Sequence, residues 1–173
     1  MDFFQPKPNA MSNQNCTLLC FFLADRCFAI PLTNVESVIR AVAVSSVPDA
    51  NELIHGVFDF HGEIMPVLNL RKRFGLSSKP IGLNDRFIIV SSDIGMFAMV
   101  VDEVEEIRKP PEEDISRVDV SLSSPDRSND LKKLQFLRNE DGVIAIYDVK
   151  NLLNSEIELQ LKQIFETQNK ASI

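Results

Sequence analysis

The chain has 173 residues, 45% of them hydrophobic and 25% charged, with a formal net charge of −7. That composition excludes wholesale disorder, and no apolar run reaches the roughly 20 residues a membrane helix needs, so direct membrane insertion is not expected. Acidic residues outnumber basic ones 25 to 18, which argues against a nucleic-acid partner held through its phosphates.

The charge is uneven. Residues 1–80 hold seven basic and seven acidic residues, whereas 81–173 hold eleven and eighteen. Two subdomains of different surface chemistry, or simply one solvated acidic face, would each produce that split. Residues 1–15 carry Pro6, Pro8 and little apolar periodicity and read as a flexible leader. They lack the basic start and apolar stretch of a secretory signal, so the expected location is cytoplasmic.

Thr17 to Leu23 is a nearly unbroken apolar run, and Cys27 to Ile30 is a second, separated from it by the turn residues Asp25 and Arg26. This predicts a hairpin. Thr33 is placed to cap a brief helical turn through Ser37, and Val38 to Val44 reads as extended. Val57–Phe60 and Ile64–Leu70 predict a second hairpin around His61-Gly62-Glu63, Gly62 supplying the positive φ. Pro66 removes a ladder donor and so predicts a sheet edge or bulge. Asn69 to Gly75 reads as a short helical turn. Phe87–Ser91 and Phe97–Val101 flank a turn at 92–95. Pro110 opens a polar loop to about Asn129, and Leu134–Leu137 and Val143–Val149 surround the turn Asn139 to Gly142. Ser155 with Glu158 is a capping box for a closing helix, whose Leu153, Ile157, Leu161, Ile164 and Phe165 share one face. Short strands without intervening helices predict an all-β barrel or sandwich architecture.

Catalytic chemistry is hard to place in this pattern. The two histidines, His55 and His61, flank one strand, and the six glycines stand singly at turns rather than in a phosphate loop. Cys16, Cys20 and Cys27 are an odd, clustered set that reads as core packing, although a small β-barrel enzyme or ligand binder using them with His55 and His61 is the competing reading. Asp102 to Glu106 alternates with apolar positions as the wet side of an edge strand does, without calcium-loop spacing. No cofactor, metal or enzymatic activity is expected.

One segment is specific. Gly56-Val-Phe-Asp-Phe-His-Gly-Glu-Ile-Met-Pro-Val-Leu-Asn-Leu-Arg71, followed by Arg73-Phe-Gly75, resembles the signature of the CheW family of chemotaxis coupling proteins. That signature runs roughly G-V-x-N-L-R-G-x-I-x-P-V-x-D-L-R, then R-F-G. Phe28-Ala-Ile-Pro31, Val35 to Arg40, Val47-Pro48, Phe87 to Val90, Met99 to Val104 and Val143 to Val149 resemble the family's other elements in order. The likeness spans about residues 17–165.

The resemblance implies two SH3-like five-stranded β-barrel subdomains with a short inter-strand helix and a C-terminal helix. The expected divisions are a first barrel at about 17–82, a second at 83–150 and a helix at 152–167. It implies a non-enzymatic adaptor joining the cytoplasmic tip of methyl-accepting chemoreceptors to the regulatory domain of a CheA-type histidine kinase. An accessory scaffold of a motility or other chemosensory pathway, with altered or no receptor contact, is the alternative. Carried over by position, the receptor groove would use Val35, Ser37, Gly56, His61, Gly62 and Val104. Two departures stand out: Ser37 and His61 replace a Glu and an Arg that would form an ion pair, and Asp59 and Asn69 exchange the family's Asn and Asp.

Overall fold

The computed structural model describes residues 16–120 and 132–171, so the expected leader at 1–15 lies outside the described residues. The strands are β1 (Leu18–Leu23), β2 (Arg26–Pro31), β3 (Val35–Arg40), β4 (Ile54–Phe60), β5 (Glu63–Leu68), β6 (Arg86–Ser92), β7 (Gly95–Val101), β8 (Glu103–Arg108), β9 (Ile115–Val120), β10 (Lys132–Asn139) and β11 (Gly142–Ile146). The helices are α1 (Leu70–Arg73), α2 (Val149–Leu152) and α3 (Ser155–Ala171). The strands form one six-stranded sheet, β8-β1-β2-β11-β10-β9, and one five-stranded sheet, β3-β6-β7-β5-β4.

The apolar runs are unbroken because both faces of the central strands are covered. Alternate residues point to opposite faces, and each face has its own destination. In β1, Leu19, Phe21 and Leu23 enter a core shared by the two sheets, while Leu18 and Cys20 enter a core confined to the six-stranded sheet. In β6, Ile88 and Val90 join the shared core, and Phe87 and Ile89 join one confined to the five-stranded sheet. Val149, Leu152, Leu153, Ile157 and Leu161 complete the shared core from α2, the linker after it and α3.

The division expected at residue 82 is not where the sheets part. β3 to β7, one continuous stretch, make the five-stranded sheet, and the six-stranded sheet is assembled from β1–β2 and β8–β11 around it. The pairing that does this is long-range: β1 lies antiparallel to β8, and Phe28 and Ala29 of β2 pair in parallel with Ala145 and Ile146 of β11. One sheet therefore also has six strands rather than five, because β9 continues it beyond β10. Part of the expected polar loop is thus strand, while 121–131 lie outside the described residues.

Local expectations fare unevenly. Pro66 is buried inside the sheet, β5 lying between β4 and β7. Val57, its partner on β4, instead exchanges both backbone hydrogen bonds with Ser45, 2.8 Å each. Pro66 thus turns its ring nitrogen away from β4 and toward β7, where the parallel pairing begins only at Val67 and Ala98 and calls for no donor from residue 66, which is how an internal strand tolerates it. Thr33 caps nothing: Leu32–Asn34 is a 3-10 turn without a side-chain cap, and Ser37 is already in β3. α3 is capped by Asn154, whose Oδ1 accepts from the Ile157 amide at 2.8 Å, rather than by Ser155. The helix then packs Phe165 over the β6–β7 turn, where a Cβ on Gly95 would meet its ring at 2.8 Å.

Candidate functional site: the seam between the sheets

The signature segment can be read residue by residue. Asp59 Oδ1 accepts the Gly62 amide at 2.7 Å and closes the β4–β5 turn, in which His61 (φ 54°) and Gly62 (φ 87°) are left-handed. Gly56 is buried, and a Cβ there would lie 2.2 Å from the Ser45 carbonyl oxygen. Only glycine allows that approach. Asn69 caps α1 by accepting from the Lys72 amide at 3.2 Å, while its Nδ2 donates to the Glu52 carbonyl at 3.3 Å. Asp59 and Asn69 both act as short-range acceptors, a role Asn and Asp share. The apparent Asn/Asp exchange thus keeps the turn and cap acceptors, while the Asn69 Nδ2 bond to Glu52 is one an aspartate could not make.

α1 and the residues after it tie the sheets together. Arg71 Nη2 donates to Asp102 Oδ2 at 2.6 Å, and Arg71 Nη1 donates to the Ser77 carbonyl at 3.1 Å. Arg73 donates to the carbonyls of Leu152 and Asn151, both at 3.0 Å, at the end of α2. Phe74 stacks on Phe28 of β2 at 5.1 Å and on Tyr147 at 4.6 Å between ring centres. Gly75 leaves the helix with φ 70°, as a helix-terminating glycine does. Arg71, Arg73 and Phe74 therefore join the five-stranded sheet to its neighbour.

Asp102 is the single residue between β7 and β8, where the chain passes from one sheet to the other. Its amide donates to the Phe22 carbonyl at 3.0 Å, and its Oδ2 accepts the Ala24 amide at 2.9 Å as well as Arg71. Lys79 bridges Asp102 Oδ1 at 3.4 Å and the buried Asp85 at 2.7 Å. Burial works against the charged form of Asp102, but Arg71, the Ala24 amide and Lys79 outweigh it and hold the carboxyl below its ordinary value. Asp102 is thus a tie between the sheets and not only the start of a wet strand edge. The available signal was a carboxylate ending the apolar run of β7.

The six residues carried over by resemblance fall into separate places. Val35 begins β3 opposite Val90, and Val104 lies in β8 opposite Phe21. Both are half-buried and pack against the shared core from different sheets. Ser37 is half-buried opposite Ile89. Gly56, His61 and Gly62 belong to β4 and its turn, at the other end of the five-stranded order from β3. His61 is exposed and sets its ring edge-on to Phe60 at 4.4 Å. Among the described residues no group of three or more His, Cys, Asp or Glu is placed to hold a metal, and no helix is long and apolar enough to cross a membrane.

Two small β subdomains fused through a shared core, with half-buried apolar residues at their seam, define a double SH3-like scaffold. The family model of the CheW-like domain matches residues 17–157, and the chain belongs to that family. It is 24% identical to the chemotaxis protein CheW of Helicobacter pylori over 79% of this chain and 80% of that one. It is 25% identical to the chemotaxis protein CheW of Bacillus subtilis over 80% of this chain and 87% of that one. Its fold is similar to that of a scaffolding CheW protein of Thermoanaerobacter tengcongensis, with a TM-score of 0.63 at 24% identity, covering 76% of this chain and 88% of the other.

Proposed function

We propose that this protein is a non-enzymatic, cytoplasmic adaptor that couples the cytoplasmic tip of methyl-accepting chemoreceptors to the regulatory domain of a CheA-type histidine kinase. The observation that carries the reading is the match to the CheW-like domain through both sheets. Val35 of one sheet and Val104 of the other, packed against one core at the seam, support a receptor groove there. An apolar seam suits a helical hairpin presenting its own apolar face.

Val35 and Val104 supply apolar contact in this reading, and Gly56, His61 and Gly62 shape the β4–β5 hairpin. Ser37 and His61 take the place of a charged pair, so receptor choice is set without an ion bridge at these positions. Leaving one charge of such a pair unpartnered near a half-buried surface would be costly.

The test is co-purification of the full chain with a CheA regulatory domain and, separately, with a soluble receptor-tip fragment. Both should be retained, and Val35→Asp or Val104→Asp should lose the receptor fragment while keeping the kinase domain. Retention of the kinase domain alone by the unaltered chain would replace this reading with that of an accessory scaffold. His61→Arg by itself should leave receptor retention unimproved, and a clear gain would reject the account of the missing pair.

A further inference from the structure

Between α3 and the five-stranded sheet lies a groove of about 400 Å³ that includes none of the six residues assigned above to receptor contact. Its apolar lining is Val47, Pro48, Ala50, Val57, Ile64 and Ile164, and Ile64 is 41% exposed. Its walls are fixed. The Asn51 amide donates to Gln160 Oε1 at 2.9 Å and the Asn51 side chain donates to Glu156, clipping the 47–53 loop to α3 at one end. The loop itself closes through the Ala50 amide on the Val47 carbonyl at 3.2 Å. An open, preformed apolar trough along a helix suits a few aliphatic side chains presented together.

Among the described residues of its lining, the charge is acidic. Asp49 is the charged residue of the lining. Glu156 is one helical turn before Gln160 and so on the same face of α3, and both acids are exposed. Lys162 falls on the opposite face of α3, two residues from Gln160. An acidic rim disfavours a second copy of a chain with net charge −7 and favours a cationic visitor.

We propose that this groove is a docking site for an amphipathic α-helix bearing an apolar stripe flanked by lysine or arginine, distinct from the receptor seam. A helix laid in it would place i, i+3 and i+4 side chains over Val57, Ile64 and Ile164 and its basic flanks against Asp49 and Glu156.

The probe is a synthetic helical peptide of about 18 residues, long enough to hold helical structure on contact, with leucines at i, i+3, i+4 and i+7 and flanking lysines. A twin carries glutamates in place of the lysines. Titrated into the isotope-labelled full chain, the lysine peptide should shift the methyl resonances of Val47, Ala50, Val57 and Ile164 and bind at least about tenfold more tightly than its twin. Gln163→Lys, an exposed wall substitution, should narrow that ratio several-fold while the amide spectrum elsewhere is unchanged. Ile64→Asp should abolish the shifts. Equal binding of the two peptides, or shifts centred on Val35 and Val104 instead, would overturn the proposal. So would a dimer in sedimentation that buries these methyls without peptide.

Discussion

Asp102 Oδ2 accepts two donors from opposite sides of the seam: Nη2 of Arg71, which follows the five-stranded sheet, at 2.6 Å, and the amide of Ala24, in the β1–β2 turn of the other sheet, at 2.9 Å. Asp102→Asn keeps the size but gives up the charge and turns one acceptor into a donor. Urea denaturation should show a loss of about 1–3 kcal/mol, as for a partly buried charged pair broken on one side. Arg71→Met should cost a similar amount, and the double variant less than the sum. Additive losses would mean that the two side chains stabilise the fold independently.

Glycine at 56 and at 62 is required for different reasons, and alanine separates them. At 62 the backbone is left-handed with φ 87° but the space is open, so Gly62→Ala should cost about 1–2 kcal/mol of conformational strain. At 56 the added carbon would sit 2.2 Å from a backbone oxygen and 2.7 Å from Val44 Cγ1. Gly56→Ala should cost more than about 3 kcal/mol, because the Ser45–Val57 bridge must open. Thermal melts of the pair would show the larger fall for Gly56→Ala. The reverse order would refute this account of the 44–45 segment.

His55 sits half-buried in β4, and burial lowers its pKa below the ordinary 6.5. A folded pKa below the unfolded one means that the unfolded chain takes up the proton first. The contribution is therefore complete above pH 6.5, fades as pH falls below it and is lost through the lower folded value. Urea midpoints should drop between pH 7.5 and 5.5, and His55→Gln should flatten most of that change. An unchanged slope in the variant would assign the pH dependence elsewhere.

Cys27 bears on whether the clustered thiols do chemistry. Burial first, then the neighbouring Cys20 and Glu105, push its pKa up to about 12, and its Sγ donates to Glu105 Oε2 at 3.6 Å. A thiol so rarely ionised is a poor nucleophile and metal ligand. Disulfide-exchange reagent at pH 8 should label Cys27 on the order of a hundredfold or more slower in the native protein than in urea. Rapid native labelling, mapped by mass spectrometry, would revive a reactive role.

Most strands were legible because both-sided burial writes itself as unbroken apolar runs, as in Phe87–Val90 and Leu18–Leu23. The pairing of those strands was not, since no local pattern says that Phe28 will meet Ala145. β9 escaped notice because an outer strand buries little: Val118 is 44% exposed and its neighbours are polar. Pro66 misled because proline indicates which donor is missing, not whether a partner strand wanted it. At the site, the motif residues were visible as a string, but their common purpose was not. Arg71, Arg73 and Phe74 reach partners at positions 102, 151–152, 28 and 147, and only the folded chain brings these together. The acidity reads differently as well. Residues 35–101 hold seven acidic and six basic residues, so the excess lies with the outer sheet and its extensions rather than with everything after residue 82.

The nesting of one sheet inside the sequence of the other has a consequence for biosynthesis. β1 and β2 leave the ribosome first, yet β11, which completes their sheet through Phe28 and Ala145, follows after more than a hundred residues. The inner stretch 35–101 can close on itself meanwhile, because all four of its strand pairings lie within it. The early hairpin must wait, its apolar faces uncovered, until β11 has been made. Pairings of such long reach slow folding and lengthen the time that sticky surface is exposed. The nascent chain is thus most vulnerable at β1 and β2, and strands made long after them are the ones that shelter them.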